Sequence, residues 1–187
     1  MYPTTGQPLA ARLFIFSSRM GKRLANLAFL GAGVVTAAVL LFPHYVVLEI
    51  APTDTERQVL CAKMRAGGEF VLSFTHSVNR RPVYDTIRVA RDHVVVVKSR
   101  YDAFGAGMPE HSTAEGAFRV AADGWIEWTI NRPMPEVVVR IGRVANHTLH
   151  LKGREIPLAS LAPPGTAVAL RSRTYSEFDL WKERCLR

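Results

Sequence analysis

An uncharged apolar segment occupies residues 24–42, with the sequence LANLAFLGAGVVTAAVLLF. A helix of this length rises about 1.5 Å per residue and spans about 28 Å, close to the hydrocarbon thickness of a bilayer. Leaving so much apolar surface in water would be costly. Pro43 follows at once, which suits a helix end. The segment therefore predicts a transmembrane anchor that contacts lipid over residues 24–42.

The charges on the two sides of this segment predict its orientation. Arg12, Arg19, Lys22 and Arg23 precede it, and no acidic residue occurs before Glu49. Because basic residues remain on the cytoplasmic side, we expect residues 1–23 to form a cytoplasmic basic leader. The protein is then a single-pass protein of the inner membrane with its C-terminal domain in the periplasm. A cleaved signal peptide and a buried core helix are the two alternatives, and the first of them also exports the chain.

The net charge of +8 does not indicate a nucleic-acid partner. Without the four basic residues of the leader, 20 of the 24 basic residues remain, against 16 acidic ones. They are scattered singly through strand-like sequence, whereas nucleic-acid binding needs a clustered basic surface. We therefore expect no nucleic acid among the partners.

After Pro43 the sequence changes to period-two alternation, with turn signals every 8–12 residues, which is typical of an antiparallel sandwich or barrel. We predict an all-β periplasmic domain over residues 46–173. A further segment, 174–187, is expected to be a tail that can form a short helix, since Ser176 is a suitable N-cap and Asp179 follows three residues later. Ten strands are predicted, at 46–50, 59–64, 69–78, 83–90, 94–99, 117–121, 125–130, 137–141, 148–151 and 166–171.

Two cysteines, Cys61 and Cys185, are present without a CxxC motif, so a zinc ribbon or a thioredoxin-like site has no support. A disulfide between them is possible in an exported domain. We favour the simpler interpretation, in which Cys61 is a small core residue and Cys185 is a free thiol in the tail.

Several motifs together resemble the bacterial family called domain of unknown function 1850. They are FTHSV at 74–78, PVYD at 82–85, FGAGMP at 104–109, NRP at 131–133, IGRVANHTL at 141–149 and LAPPGT at 161–166. The resemblance covers most of residues 46–172. It implies a small exported or membrane-anchored protein, often encoded beside tripartite periplasmic (TRAP) transporters of the TAXI type. One departure is Asp85, at a position where the family generally has Glu.

His76 and Asp85 are candidate ligand-binding residues, because a histidine–carboxylate pair can fix a tautomer, hold a metal or transfer a proton. The simpler alternative is that His76 caps a turn or donates to a backbone carbonyl, and that Asp85 is solvated or paired with Arg80 or Arg81. Ser77 is a third candidate, but the G-x-S-x-G elbow of a serine hydrolase is absent.

The segment from Phe104 to Pro109 is the second candidate region. Gly105 and Gly107 allow a close backbone approach or a positive φ, and exposed N–H groups there could bind an anion. The alternatives are a structural loop that places Phe104 and Met108 in the core, and a partner-binding surface. Neither a dinucleotide fingerprint nor a short metal-binding histidine motif occurs, so we expect no cofactor and no metal ligand set.

Two functions follow from these patterns. The first is a non-catalytic accessory protein that binds transporter permease or solute-binding subunits, with loop 101–111 as the contact surface. The second is a small-ligand or metal-binding module, enzymatic or not, that uses His76 and Asp85. Because no complete catalytic constellation is visible, we favour the first.

Overall fold

The computed structural model describes residues 9–55 and 57–187, so part of the predicted leader, residues 1–8, lies outside the described residues. The N-terminal unit, up to Phe42, is the helix α1 (Leu9–Leu41). Its segment Lys22–Leu41 has a mean hydropathy of 2.1 and exposed side chains. This helix is long and apolar enough to be a membrane anchor or a signal sequence, and it is not a buried core helix.

The second unit, Pro43–Arg187, consists of two antiparallel sheets and a short C-terminal helix. One sheet has four strands in the order β2-β1-β11-β8, and the other has seven in the order β10-β9-β3-β4-β5-β7-β6. The elements are β1 (Tyr45–Pro52), β2 (Leu60–Lys63), β3 (Gly68–Thr75), β4 (Pro82–Val89), β5 (Val94–Tyr101), β6 (Ala117–Val120), β7 (Ile126–Met134), β8 (Glu136–Arg140), β9 (Thr148–Leu151), β10 (Arg154–Pro157), a 3-10 helix (Leu158–Ser160), β11 (Ala167–Tyr175) and α2 (Glu177–Lys182).

The two sheets enclose the main core, which confirms the all-β prediction. Alternate residues of each strand point inward, so apolar side chains at every second position meet across the interface. Leu48 and Leu170 from the four-stranded sheet belong to one buried cluster with Leu72, Ile87 and Leu149 from the seven-stranded sheet. Burial of this cluster is the main favourable contribution to folding.

A second buried cluster lies on the part of the seven-stranded sheet formed by β4, β5 and β7. Val83, Tyr101, Ile126 and Trp128 form it, and Met108 from the following loop packs against them. The chain between β5 and β6, residues 102–116, therefore contributes Met108 to this cluster as well as connecting the two strands.

The C-terminal segment contradicts our preference for unpaired cysteines. Cys61 of β2 and Cys185 form a disulfide, with their Cα atoms 4.7 Å apart. The sequence prediction failed because the two residues are separated by 124 positions and meet only through the fold. Helix α2 begins as predicted, since the Ser176 side chain accepts from the Asp179 N–H and the Asp179 side chain caps Ser176 in return.

Two other boundaries differ from the prediction. The NRP segment, which lies between the predicted strands 125–130 and 137–141, is inside β7, where Asn131 has a φ of 49° beside a register shift against β5. A β-bulge accommodates this turn-like sequence without ending the strand. Strand β10 was missed, because it is a short edge strand that contains Pro157 and few apolar residues.

Candidate functional site

The turn between β3 and β4, residues 76–81, carries the first predicted motif. The His76 N–H donates to the Arg81 carbonyl (2.9 Å) and the Arg80 N–H donates to the His76 carbonyl (3.0 Å). The His76 ring also takes part, since its Nδ1 accepts from the Val78 N–H at 3.3 Å. His76 thus caps a turn, as the simpler alternative proposed.

Asn79 joins this turn to the second predicted motif. Its Nδ2 donates to the carbonyls of Ala103 (3.3 Å) and Phe104 (3.0 Å), and its Oδ1 accepts from the Arg81 N–H. The Arg81 guanidinium forms an ion pair with Asp102 at the start of the same loop. The two motifs are therefore neighbours in space.

Gly105 shows how closely they approach. A Cβ added to Gly105 would lie 2.9 Å from His76 Cε1 and 2.9 Å from Asn79 Nδ2, closer than real Cβ atoms come to other heavy atoms. Only glycine therefore fits here without a shift of its neighbours, and the reason is steric contact rather than an unusual backbone angle.

A third loop, residues 141–147, completes this end of the domain. The Thr75 N–H donates to the Ala145 carbonyl at 2.7 Å, which holds the loop against the end of β3. Thr75, His76, Ser77, Arg80 and Val144 line a small cavity of about 290 Å³. Ser77 is exposed at the surface of this cavity.

Large apolar side chains are exposed on all three loops. Val78, Phe104 and Val144 have exposed fractions of 65%, 49% and 77%. We call the surface formed by these three residues around His76 the loop tip. Exposed apolar residues scattered singly are ordinary, but three on loops that are bonded together indicate a contact surface.

The remaining predicted residues of the FGAGMP segment have structural roles. Gly107 adopts a φ of 81° in a turn closed by a hydrogen bond from the Met108 N–H to the Gly105 carbonyl. The Pro109 carbonyl accepts from the Tyr101 hydroxyl at 2.6 Å. Phe104 stacks on Phe118, with ring centroids 6.2 Å apart, and is half exposed rather than placed in the core.

Asp85 lies apart from the loop tip. In the pairing of β3 with β4, Asp85 is opposite Leu72, four residues before His76, a separation of about 13 Å along the strand. Its Oδ1 accepts from the Ser99 hydroxyl at 2.5 Å, and it makes neither of the predicted pairs with Arg80 and Arg81. The structure therefore brings His76, Ser77, Phe104 and Gly105 together, but not Asp85.

The environment of Asp85 is unusual for a carboxylate. Asp85 lies two residues from the buried Val83 and two from the buried Ile87, so all three side chains are on the same, core-facing side of β4. Burial raises the pKa of its carboxyl, and the hydrogen bond from Ser99 opposes this change. Burial likewise lowers the pKa of His147.

Within the residues that the structure describes, no group of three or more His, Cys, Asp or Glu side chains is placed to hold a metal ion.

The sequence patterns did not identify three residues that organise this end of the domain and its neighbourhood: Asn79, Ser99 and Asp102. Asn79 could be predicted as a turn residue from the sequence. Its hydrogen bonds to the carbonyls of Ala103 and Phe104 could not, because a turn pattern predicts only bonds within the turn.

Comparison with known protein families gives one match, and the matched segment contains these features. The model of a domain of unknown function, DUF1850, matches residues 70–158. This segment runs from β3 through β10 and includes the turn 76–81, the loop 102–116 and the loop 141–147. No curated protein and no solved structure matches the chain.

Proposed function

The chain belongs to the DUF1850 family, and on that premise we propose that it is a membrane-anchored accessory protein whose β domain lies in the periplasm and contacts a membrane-protein partner. The partner that we propose is a TRAP transporter of the TAXI type, through its permease or its solute-binding subunit. The loop tip is the proposed contact surface.

Two independent features support the anchor and the compartment. The helix segment Lys22–Leu41 is apolar and exposed, and basic residues precede it. The disulfide between Cys61 and Cys185 belongs to an oxidising environment, because cytosolic thiols are usually kept reduced. Both features favour a domain outside the cytoplasm.

The observation that carries the contact proposal is the loop tip. Its apolar side chains are exposed, while Asn79 and the Arg81–Asp102 ion pair hold the loops beneath them together. A surface that is already ordered loses less entropy when it binds. The exposed cations Arg80 and Arg143 lie on the same loops and favour a partner with acidic residues around an apolar contact.

Co-purification from membranes tests the contact. The full chain is tagged and solubilised in mild detergent, and the permease and solute-binding subunits are measured in the eluate. We expect both Val78→Asp and Val144→Asp to reduce recovery at least tenfold, since each places a charge in an apolar contact. The matched control is Val138→Asp on β8, a valine with 54% exposure outside the loop tip.

Recovery of the transporter subunits with the wild type and the control, but not with the loop-tip variants, is the expected pattern. Absence of these subunits from the wild-type eluate contradicts the proposed partner. Topology is tested separately by adding protease to intact spheroplasts, where digestion of the β domain is expected. Protection of that domain contradicts the periplasmic location.

A further inference from the structure

A second surface feature lies on the outer face of the seven-stranded sheet, away from the loop tip. It is a cavity of about 470 Å³ over β3, β4 and β5. Thr86 and Tyr84 of β4 are directly opposite Lys98 and Arg100 of β5, so these four side chains share the face that points away from the core. A cavity of this volume is within the usual range for small-molecule sites.

Two aromatic rings border the cavity. The Tyr84 and Trp125 rings have centroids 5.7 Å apart and are tilted by 59°. The Arg100 guanidinium carbon lies 5.0 Å from the centroid of the Trp125 ring, a cation–π contact that holds both side chains in place. Val71 adds an apolar contact. A flat or apolar group can therefore pack in this cavity.

The charges around the cavity leave one cation in excess. Lys98 and Arg119 both form ion pairs with Glu127, and Arg100 forms an ion pair with Asp123. The hydrogen bonds from Arg119 and Lys98 lower the pKa of Glu127, which keeps it ionised. Three cations thus face two carboxylates. In addition, Arg100 Nε is buried and makes no hydrogen bond among the described residues, and its nearest charged neighbour is Glu127 Oε1 at 3.9 Å.

A polar pair borders the cavity on the side of β9. The Ser73 hydroxyl and His150 Nε2 are 2.7 Å apart, and the His150 ring lies 6.3 Å from the Tyr84 ring. Ser73 is opposite Tyr84, and Val71 is opposite His150. Ser73 is within a strand paired on both sides, and the backbone N–H groups of such a strand lie in the plane of the sheet, so those of β3 are not directed at an oxyanion beside the Ser73 hydroxyl. The pair is therefore suited to hydrogen bonding and not to acyl transfer.

We propose that this outer-face site binds a small organic carboxylate with a planar or apolar body. The carboxylate contacts Arg100 and Lys98, the body packs between Tyr84 and Trp125, and the Ser73–His150 pair hydrogen bonds to a polar substituent. This site is independent of the loop tip and of the proposed transporter partner.

Calorimetric titration of the full chain in detergent micelles tests this inference. The probes are 4-hydroxybenzoate and its neutral amide, 4-hydroxybenzamide. We expect saturable binding of the carboxylate and at least tenfold weaker binding of the amide, because the amide loses the charged contacts. Equal binding of the two probes, or no saturable binding of either, overturns the proposal.

Variants locate the site. Arg100→Gln and Trp125→Leu are each expected to weaken binding of 4-hydroxybenzoate about tenfold. The matched control is Arg88→Gln, which removes the same charge from the same face of the sheet, on β4, where Arg88 pairs with Glu69 outside the cavity lining. Chemical shifts of the core methyl groups verify that each variant is folded. Unchanged binding by folded Arg100→Gln and Trp125→Leu overturns the assignment, as does an equal loss in Arg88→Gln.

Discussion

The imidazole of His76 lies against Gly105, so that a Cβ at position 105 would be 2.9 Å from His76 Cε1. This contact joins two motifs that are far apart along the chain and supports the loop tip. A single methyl group added at position 105 would therefore disturb the contact between the two loops.

The first prediction concerns Gly105→Ala. Overpacking of a tight contact costs about 1–3 kcal/mol, so we expect a lower free energy of unfolding, measured by urea titration of the full chain in detergent. A His76→Ala background should reduce this cost, because it removes one of the two clashing side chains. Gly107→Ala is the comparison: its Cβ would meet nothing within 4 Å, and its φ of 81° alone predicts a loss of about 1 kcal/mol. Strict additivity of Gly105→Ala and His76→Ala would contradict the role of this contact.

The second prediction concerns Asp85. Burial raises the pKa of its carboxyl above the usual 3.8, so the folded state holds the proton more tightly than the unfolded chain. This group therefore favours folding at a pH below the unfolded-state pKa, and that contribution is lost as the pH rises through the folded-state pKa. Asp85→Asn should unfold at a higher urea concentration than the wild type at pH 7, and the difference should disappear near pH 3.5.

Asp123→Asn is the control with the opposite sign. Hydrogen bonds from the Trp125 N–H and from Arg100 lower the pKa of Asp123. Its contribution to stability is present above the unfolded-state pKa and is lost as the pH falls through the folded-state pKa. The Asn variant should therefore be less stable than the wild type at pH 7. A destabilised Asp85→Asn protein at pH 7 would show that the Ser99 bond outweighs desolvation.

The third prediction concerns the disulfide. It links residues 124 positions apart, and a cross-link that closes so long a loop restricts the unfolded chain strongly. The double variant Cys61→Ser/Cys185→Ser should lose about 2–5 kcal/mol of unfolding free energy. Wild-type protein unfolded in the presence of reductant should show the same loss, while the double variant should not respond to reductant.

The fourth prediction concerns the ion pair between Arg171 and Glu49. Their side chains are only 14% and 8% exposed, and Glu49 Oε2 also accepts from the Tyr175 hydroxyl at 2.6 Å. Glu49→Leu leaves the guanidinium without its partner and should cost about 3–5 kcal/mol. Adding Arg171→Leu should recover much of that loss. The exposed pair of Arg88 with Glu69 gives the reference, where Glu69→Gln should change stability by less than about 1 kcal/mol.

Local patterns predicted the elements of the β domain well where one face of a strand is buried. Phe70, Leu72 and Phe74 alternate as a half-buried strand requires, and β3 occupies most of the predicted range. The Ser176–Asp179 capping box could also be predicted, because all of its hydrogen bonds lie within four residues. Asn131 misled the prediction, because a positive φ serves a bulge as well as a turn.

The candidate site was predictable only in part. His76 and Gly105 were both identified, but their contact depends on two loops that meet through the pairing of β4 with β5. Asp85 and His76 were considered a histidine–carboxylate pair, whereas the strand register separates them and gives Asp85 the partner Ser99. The cavity between Tyr84 and Trp125 gave no sequence signal, since its residues come from separate strands and a turn.

Strand β1 begins at Tyr45, only a few residues after helix α1 ends at Leu41, and it is paired along one side with β2 and along the other with β11. Its ladder with β11 extends over all eight residues from Tyr45 to Pro52. A protease that extracts the protein by its N-terminal helix would therefore have to break the pairing of β1 with both β2 and β11 before it could unfold the rest of the domain. The arrangement makes the fold resistant to mechanical unravelling from that direction.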